Sequence, residues 1–126
     1  MFGRMEGRDD PIAALFEPLA KAPRELCAAA YFDRRGALLG LRHCGAGDAS
    51  TVELPFRSIT IDTLAFGARE VVLAHNHPSG DPRPSEADLA LTRRLSQALA
   101  AIDAHLHDHL IMAAGSRFSF RAAGLL

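Results

Sequence analysis

Apolar positions fall at helical spacing in three stretches of the chain and in short continuous or alternating runs elsewhere, a pattern of helices interleaved with strands. Residues 1–10 carry no period and read as a polar tail. In residues 11–20, Ile12, Leu15, Phe16 and Leu19 lie on one helical face, Pro11 suits a first helical position and Asp10 suits an N-cap. Residues 25–32 and 37–41 then read as two strands joined by the turn Asp33-Arg34-Arg35-Gly36. The alanines at 28–30 favour helix by propensity, so the hairpin reading rests on the turn chemistry and the shortness of the second run.

Residues 45–48 read as loop and residues 51–54 as a short strand. Ser58 is placed to cap a helix reaching Phe66, with Ile59, Ile61, Leu64 and Ala65 on its buried side and Gly67 at its end. A buried strand follows at 71–74, then a rigid loop at 75–84 with prolines at 78, 82 and 84. Ser85 opens the most strongly patterned helix, running to about Asp103 with Leu91, Leu95, Ala98, Leu99 and Ile102 on one face. Residues 105–112 and 118–120 read as two terminal strands around a turn at 114–116. The order of elements predicts one α/β or α+β domain with a mixed sheet.

Composition narrows the function. A chain of 126 residues suits one domain, and 48% hydrophobic against 23% charged residues excludes disordered and fibrous classes. Fourteen Lys and Arg against 15 Asp and Glu leave a net charge of −1, which removes the usual electrostatic reason to expect nucleic-acid binding. The longest apolar runs fall short of the roughly 18 residues of a membrane span. Arg4, Glu6, Arg8, Asp9 and Asp10 stand where an export signal would need an apolar core. Cys27 and Cys44 form no metal or disulfide spacing, so a cytoplasmic protein with reduced thiols is expected.

The chemistry concentrates between His75 and Asp88. At a strand end, residues two apart point the same way, so His75 and His77 can present two imidazoles to one point. Asp88 lies in the first turn of a helix that the proline-rich loop brings back. Two nitrogens and one carboxylate oxygen leave one zinc position open, as in a hydrolytic site. Each piece alone has a plainer reading: Ser85-x-x-Asp88 is a capping arrangement, and paired histidines are common on surfaces. Together after a buried strand they are far more specific.

His75-x-His77 followed by Ser85-x-x-Asp88 resembles the JAMM signature of the Jab/MPN metalloprotease superfamily. The longer string HNHPSGDPRPSEADLALTRRL, with DHLI at 108–111 and FSFRAAGLL near the end, is similar to the bacterial RadC-type branch over residues 24–126. Residues 1–23 form a tail and short helix ahead of that domain. The resemblance implies a single MPN-like domain of cytidine-deaminase-like architecture, with a mixed central sheet flanked by helices. It implies Zn2+ held by His75, His77 and Asp88, with Ser85 hydrogen-bonding the attacking water or the oxyanion. It also implies a glutamate general base, which family members carry at the start of the first sheet strand; Glu25 matches that position.

Glu53 and Glu70 are the other glutamates weighed for the base. Glu70 stands roughly 17 Å from His75 at strand rise, and Glu53 suits a solvated strand end. His105, His107 and His109 alternate along one strand, but their stepwise spacing of about 6.6 Å is too wide for one ion. The resemblance assigns Asp108-His109 instead to a structural or supporting pair near the site. Cys27 shares a strand face with Glu25 and reads as an inert buried thiol. The His-x-Glu and Pro-Cys-x-x-Cys of zinc deaminases do not occur.

The 23 residues before Arg24 cannot hold the helix-hairpin-helix segment that RadC-type proteins often carry, which weakens any nucleic-acid role. Gly45-Ala46-Gly47 and Glu70 also depart from the family pattern. The reading that results is a zinc-dependent metallopeptidase or amidohydrolase acting on a peptide or isopeptide bond. The alternative is a zinc-containing binding or scaffold module with little turnover. Short loops leave room for a partner or a homodimer to complete the site.

Overall fold

The structure, a computed structural model, describes residues 10–43 and 56–126. Two short helices, α1 (Pro11–Ala14) and α2 (Glu17–Ala20), precede a hairpin of β1 (Cys27–Phe32) and β2 (Leu38–His43). Then come α3 (Phe56–Phe66), β3 (Glu70–Asn76), α4 (Glu86–Ala100), β4 (His105–Ala113) and β5 (Ser116–Ser119). The strands form one mixed sheet in the order β2-β1-β3-β4-β5, with only β3 and β4 parallel. That parallel pair needs a crossover, which α4 supplies. The domain is α+β, as expected.

Both sheet faces are covered. On one, Ile59 of α3 and Leu91, Leu95 and Leu99 of α4 pack on Ala29, Tyr31, Val71, Leu73 and Leu106. On the other, Ala13, Phe16 and Leu19 pack on Ala28, Ala30, Val72, Ala74, Leu110 and Met112. The alanines of β1 form a strand because it is central and enclosed on both faces, where small side chains let helices approach. In β2, Gly40 lies under Phe66, whose ring a Cβ there would meet at 2.7 Å.

Three local expectations change. The first helix is two, because in a continuous helix Pro18 would clash with the Ala14 carbonyl and offer it no N–H; the chain restarts with Pro18 in the first turn of α2. Asp10 does cap α1, accepting from the amides of Ile12 and Ala13 at 2.9 and 3.3 Å. Helix α3 begins at Phe56, ahead of Ser58, so its cap lies outside the described residues. Its buried face is Ile59 and Thr63, with Phe56 and Phe66 packed beside them, which leaves Ile61 and Leu64 53% and 62% exposed. The Thr63 hydroxyl tolerates burial by donating to the Ile59 carbonyl at 2.7 Å. Cys44, Glu53, the 45–48 loop and the 51–54 strand expected from sequence also lie outside the described residues.

Candidate metal centre

The site forms where β3 ends beside the N-terminus of α4. His75 is the sixth residue of β3, and the extended backbone continues to His77, whose amide donates to the Met112 carbonyl at 2.9 Å. The two imidazoles therefore share a side, with their Nε2 atoms 3.1 Å apart. Asp88 meets both: Oδ1 lies 3.3 Å from Nε2 of His75 and Oδ2 lies 3.3 Å from Nε2 of His77. Burial raises the Asp88 carboxyl, but contact with the His75 imidazole and the hydrogen bond from the Ser85 amide overcome that and hold it well below the usual carboxylate range.

Helix α4 delivers Asp88 through its cap. Ser85 Oγ accepts from the Asp88 amide at 3.1 Å, and Asp88 Oδ2 accepts from the Ser85 amide at 2.9 Å. Ser85 is exposed, and this bond uses a lone pair of its hydroxyl rather than its hydrogen. The loop is pinned as well: His77 Nδ1 donates to the Asp81 carbonyl at 2.9 Å, and a carbonyl can only accept, so in the neutral ring Nε2 of His77 is a lone pair. Asp81 is in turn clamped by Arg83, whose guanidinium holds the exposed carboxyl down to about 2.

Glu25 approaches from the neighbouring strand. The antiparallel register pairs Cys27 with His75, and continued two residues back it sets Glu25 opposite His77. A Glu25 carboxylate oxygen lies within 4.8 Å of ligand nitrogens on both His75 and His77, and these three form a group able to hold a metal ion. Asn76, fully buried between the two histidines in sequence, turns to the opposite side. Its Oδ1 accepts from the Leu26 amide at 2.6 Å, and its Nδ2 donates to the carbonyls of Arg24 and Ala22 at 3.0 and 3.3 Å. The side chain between the histidines thus anchors the segment that carries Glu25.

Two further residues reach the centre. His109 Nε2 lies 2.8 Å from Nδ1 of His75, and His109 Nδ1 lies 2.6 Å from the Thr92 hydroxyl. The His109 ring is fully buried and stacked on Phe120 at 4.6 Å and 9°; burial first, then its nearness to His75, pushes it down to about 3. Asp108 Oδ1 accepts from the His109 and Arg121 amides, and its Oδ2 accepts from the Ser119 hydroxyl. Burial pushes its carboxyl up despite them.

The three histidines of β4 do not share one face. Val71 pairs with Leu106 but Val72 pairs with Asp108, so His107 is an extra residue in a bulge. The bulge reverses the alternation and sends His109 to His75, while His105 and His107 stay at the far end with Glu70. There His105 Nδ1 bonds the Glu70 carboxylate at 2.7 Å, so Glu70 is a half-buried ion-pair partner remote from the centre. Cys27 is half-buried against the core. His109, which the resemblance expects as a supporting residue near the site, does meet His75; Asn76 and Thr92 had no role in the sequence reading, and the available signal was Thr92, one turn from Asp88 on the buried face of α4.

No helix among the described residues is long and apolar enough to cross a membrane. The donor set of imidazoles and carboxylates fits a divalent metal ion. The chain is 41% identical over 108 residues to a UPF0758 protein of Bordetella avium (strain 197N), covering 86% of this chain and 48% of that one. A UPF0758 protein of Rhodobacter capsulatus is 38% identical over 108 residues, with 86% and 50% covered. UPF0758 protein YfjY of Escherichia coli (strain K12) is 40% identical over 108 residues, with 86% and 68% covered. The chain thus spans about half the length of the first two of these relatives. The family model for the RadC-like JAB domain matches residues 6–125, and with the fold and the relatives it places this chain in the RadC-like JAB domain family.

Proposed function

We propose that this chain is a zinc-dependent hydrolase of the metallopeptidase or isopeptidase type, with His75, His77 and Asp88 as ligands. The spacing of the donors carries the reading. At zinc–ligand distances of about 2.0–2.1 Å the edge of a tetrahedron is about 3.3–3.4 Å; the two imidazole Nε2 atoms are 3.1 Å apart, and each faces its own oxygen of the Asp88 carboxylate at 3.3 Å. Electron-rich atoms converging at this distance favour a cation in the space among them. Three protein ligands leave one position for solvent or substrate.

Zinc, when bound, supplies an acidified water and a Lewis acid for the scissile carbonyl. Glu25, with a carboxylate oxygen within 4.8 Å of nitrogens on both histidines, serves as the general base. It takes the proton of the attacking water and returns it to the leaving amine, which balances amide hydrolysis. Ser85, with its hydroxyl hydrogen directed away from the Asp88 amide that it caps, donates to the developing oxyanion. The substrate is a peptide or isopeptide, whose amide this arrangement cleaves.

Metal content by mass spectrometry tests the reading, with His75→Ala and Asp88→Ala beside wild type and folding checked by circular dichroism. One zinc per chain, lost in both folded variants, is expected, followed by cleavage in a peptide and isopeptide screen that Glu25→Gln abolishes. Zinc retained by both variants refutes the ligand assignment. Zinc bound at these residues without cleavage of any amide substrate refutes the hydrolase and leaves a metal-containing binding module.

A further inference from the structure

Between His75 and the α4 backbone runs a chain of hydrogen bonds whose direction is dictated at one end. The Thr92 hydroxyl lies 2.7 Å from the Asp88 carbonyl, which has no hydrogen to give, so Thr92 donates. Having spent its hydrogen, Thr92 Oγ1 can only accept from His109 Nδ1 at 2.6 Å, which places the His109 hydrogen on Nδ1. The His109 ring is fully enclosed, its face on Phe120 and its two nitrogens taken by Thr92 and His75. A neutral ring fits that enclosure, so its Nε2 is a bare acceptor. His75 Nδ1, 2.8 Å away, must then be the donor, and in the neutral ring Nε2 of His75 is a lone pair facing His77 and Asp88.

We propose that Thr92 and His109 are positioning residues that form a one-way relay, rooted on the Asp88 carbonyl, which sets the His75 imidazole as its Nδ1–H tautomer and aims Nε2 at the metal centre. The consequence for metal affinity rests on the reading of His75 as a ligand; the tautomer itself does not. The relay closes a ring, since Asp88 provides its first acceptor through the backbone and meets its last member through the carboxylate at 3.3 Å. One helical turn of α4, from Asp88 to Thr92, thereby presents one ligand and prepares another. The β4 bulge is what puts His109 within reach.

The test reads tautomers directly, by long-range proton–nitrogen correlation on the imidazoles of metal-free protein at about pH 8.5, where free histidine is neutral. Zinc affinity is measured alongside by competition with a chromophoric chelator. Wild type is expected to show hydrogen on Nδ1 of both His75 and His109. Thr92→Val keeps shape but removes the hydroxyl; His75 should shift towards Nε2–H and zinc affinity should fall about 10- to 100-fold. Thr92→Ser restores the hydroxyl and should recover both. A wild-type His75 carrying its hydrogen on Nε2, a Thr92→Val protein with wild-type tautomers and affinity, or failure of Thr92→Ser to rescue would each overturn the relay. Should the folded wild type take up no zinc, the hydrolase reading falls while the tautomers of the metal-free protein still decide the relay.

Discussion

Replacing Asn76 tests how the Glu25 segment is held. Asn76→Ala removes three hydrogen bonds at once, one accepted from Leu26 at 2.6 Å and two donated to Arg24 and Ala22 at 3.0 and 3.3 Å. At about 1 kcal/mol net for each bond, with the longest discounted, the loss is about 2–3 kcal/mol. Domains of ordinary size are stable by about 5–15 kcal/mol, so the variant folds. Asn76→Asp keeps the shape and the acceptor for Leu26 but turns an anion on two carbonyls, and should cost more than alanine although it fills the space. Urea unfolding followed by circular dichroism gives the totals. Hydrogen exchange at the Leu26 amide gives the local effect, expected at about 30- to 100-fold faster in Asn76→Ala. The backbone bond from the Asn76 amide to the Leu26 carbonyl survives, so the strand stays in place. Variants within about 0.5 kcal/mol of wild type, or alanine costing more than aspartate, would show that packing rather than hydrogen bonding secures the segment.

Glu25→Gln should keep zinc at wild-type affinity and lower amide turnover about 10²- to 10⁴-fold, and a loss of zinc instead would make Glu25 a ligand. Asp88→Ala removes the N3 half of the α4 capping box along with a proposed ligand, so unfolding of the metal-free protein should show a loss of about 1 kcal/mol in addition to the loss of zinc. Burial, with the Arg121 and His105 charges adding to it, pushes His107 down to about 4, whereas the unfolded ring titrates near its ordinary 6.5. The unfolded chain alone gains that proton on acidification. The His107 contribution is therefore complete above about pH 6.5 and falls by up to about 3 kcal/mol towards pH 4. Urea unfolding of wild type and His107→Leu across that range should diverge, and parallel curves would contradict the assignment.

Local chemistry made much of this domain legible in advance. The Asp33–Gly36 turn, the Ser85 cap, the Leu91, Leu95 and Leu99 stripe and the two terminal strands follow from short-range rules, because turn residues, caps and helical periods act within a few residues of themselves. The meeting of His75, His77 and Asp88 was also legible, since one strand end, a short proline-rich loop and the first turn of a helix join them with little freedom. Sequence reading went astray in two helices, once through a non-local contact and once through a local proline. Phe56 and Phe66 turned α3 so that Ile61 and Leu64 face outward, and Pro18 divided the first helix.

The resemblance put Asp108-His109 near the centre, and the tertiary structure decided how they reach it. A single extra residue at His107 inverted the alternation of β4, and a register of that kind depends on a partner strand 35 residues away, which no local period records. From it follow the contact of His109 with His75 and the remoteness of His105 and His107. Asn76 likewise looks like a spacer between two ligands, yet it bonds a segment 50 residues earlier. The choice of His75, His77 and Asp88 as proposed ligands rested on residue type and short spacing, whereas the orientation of these side chains was set by partners brought together only when the sheet closed.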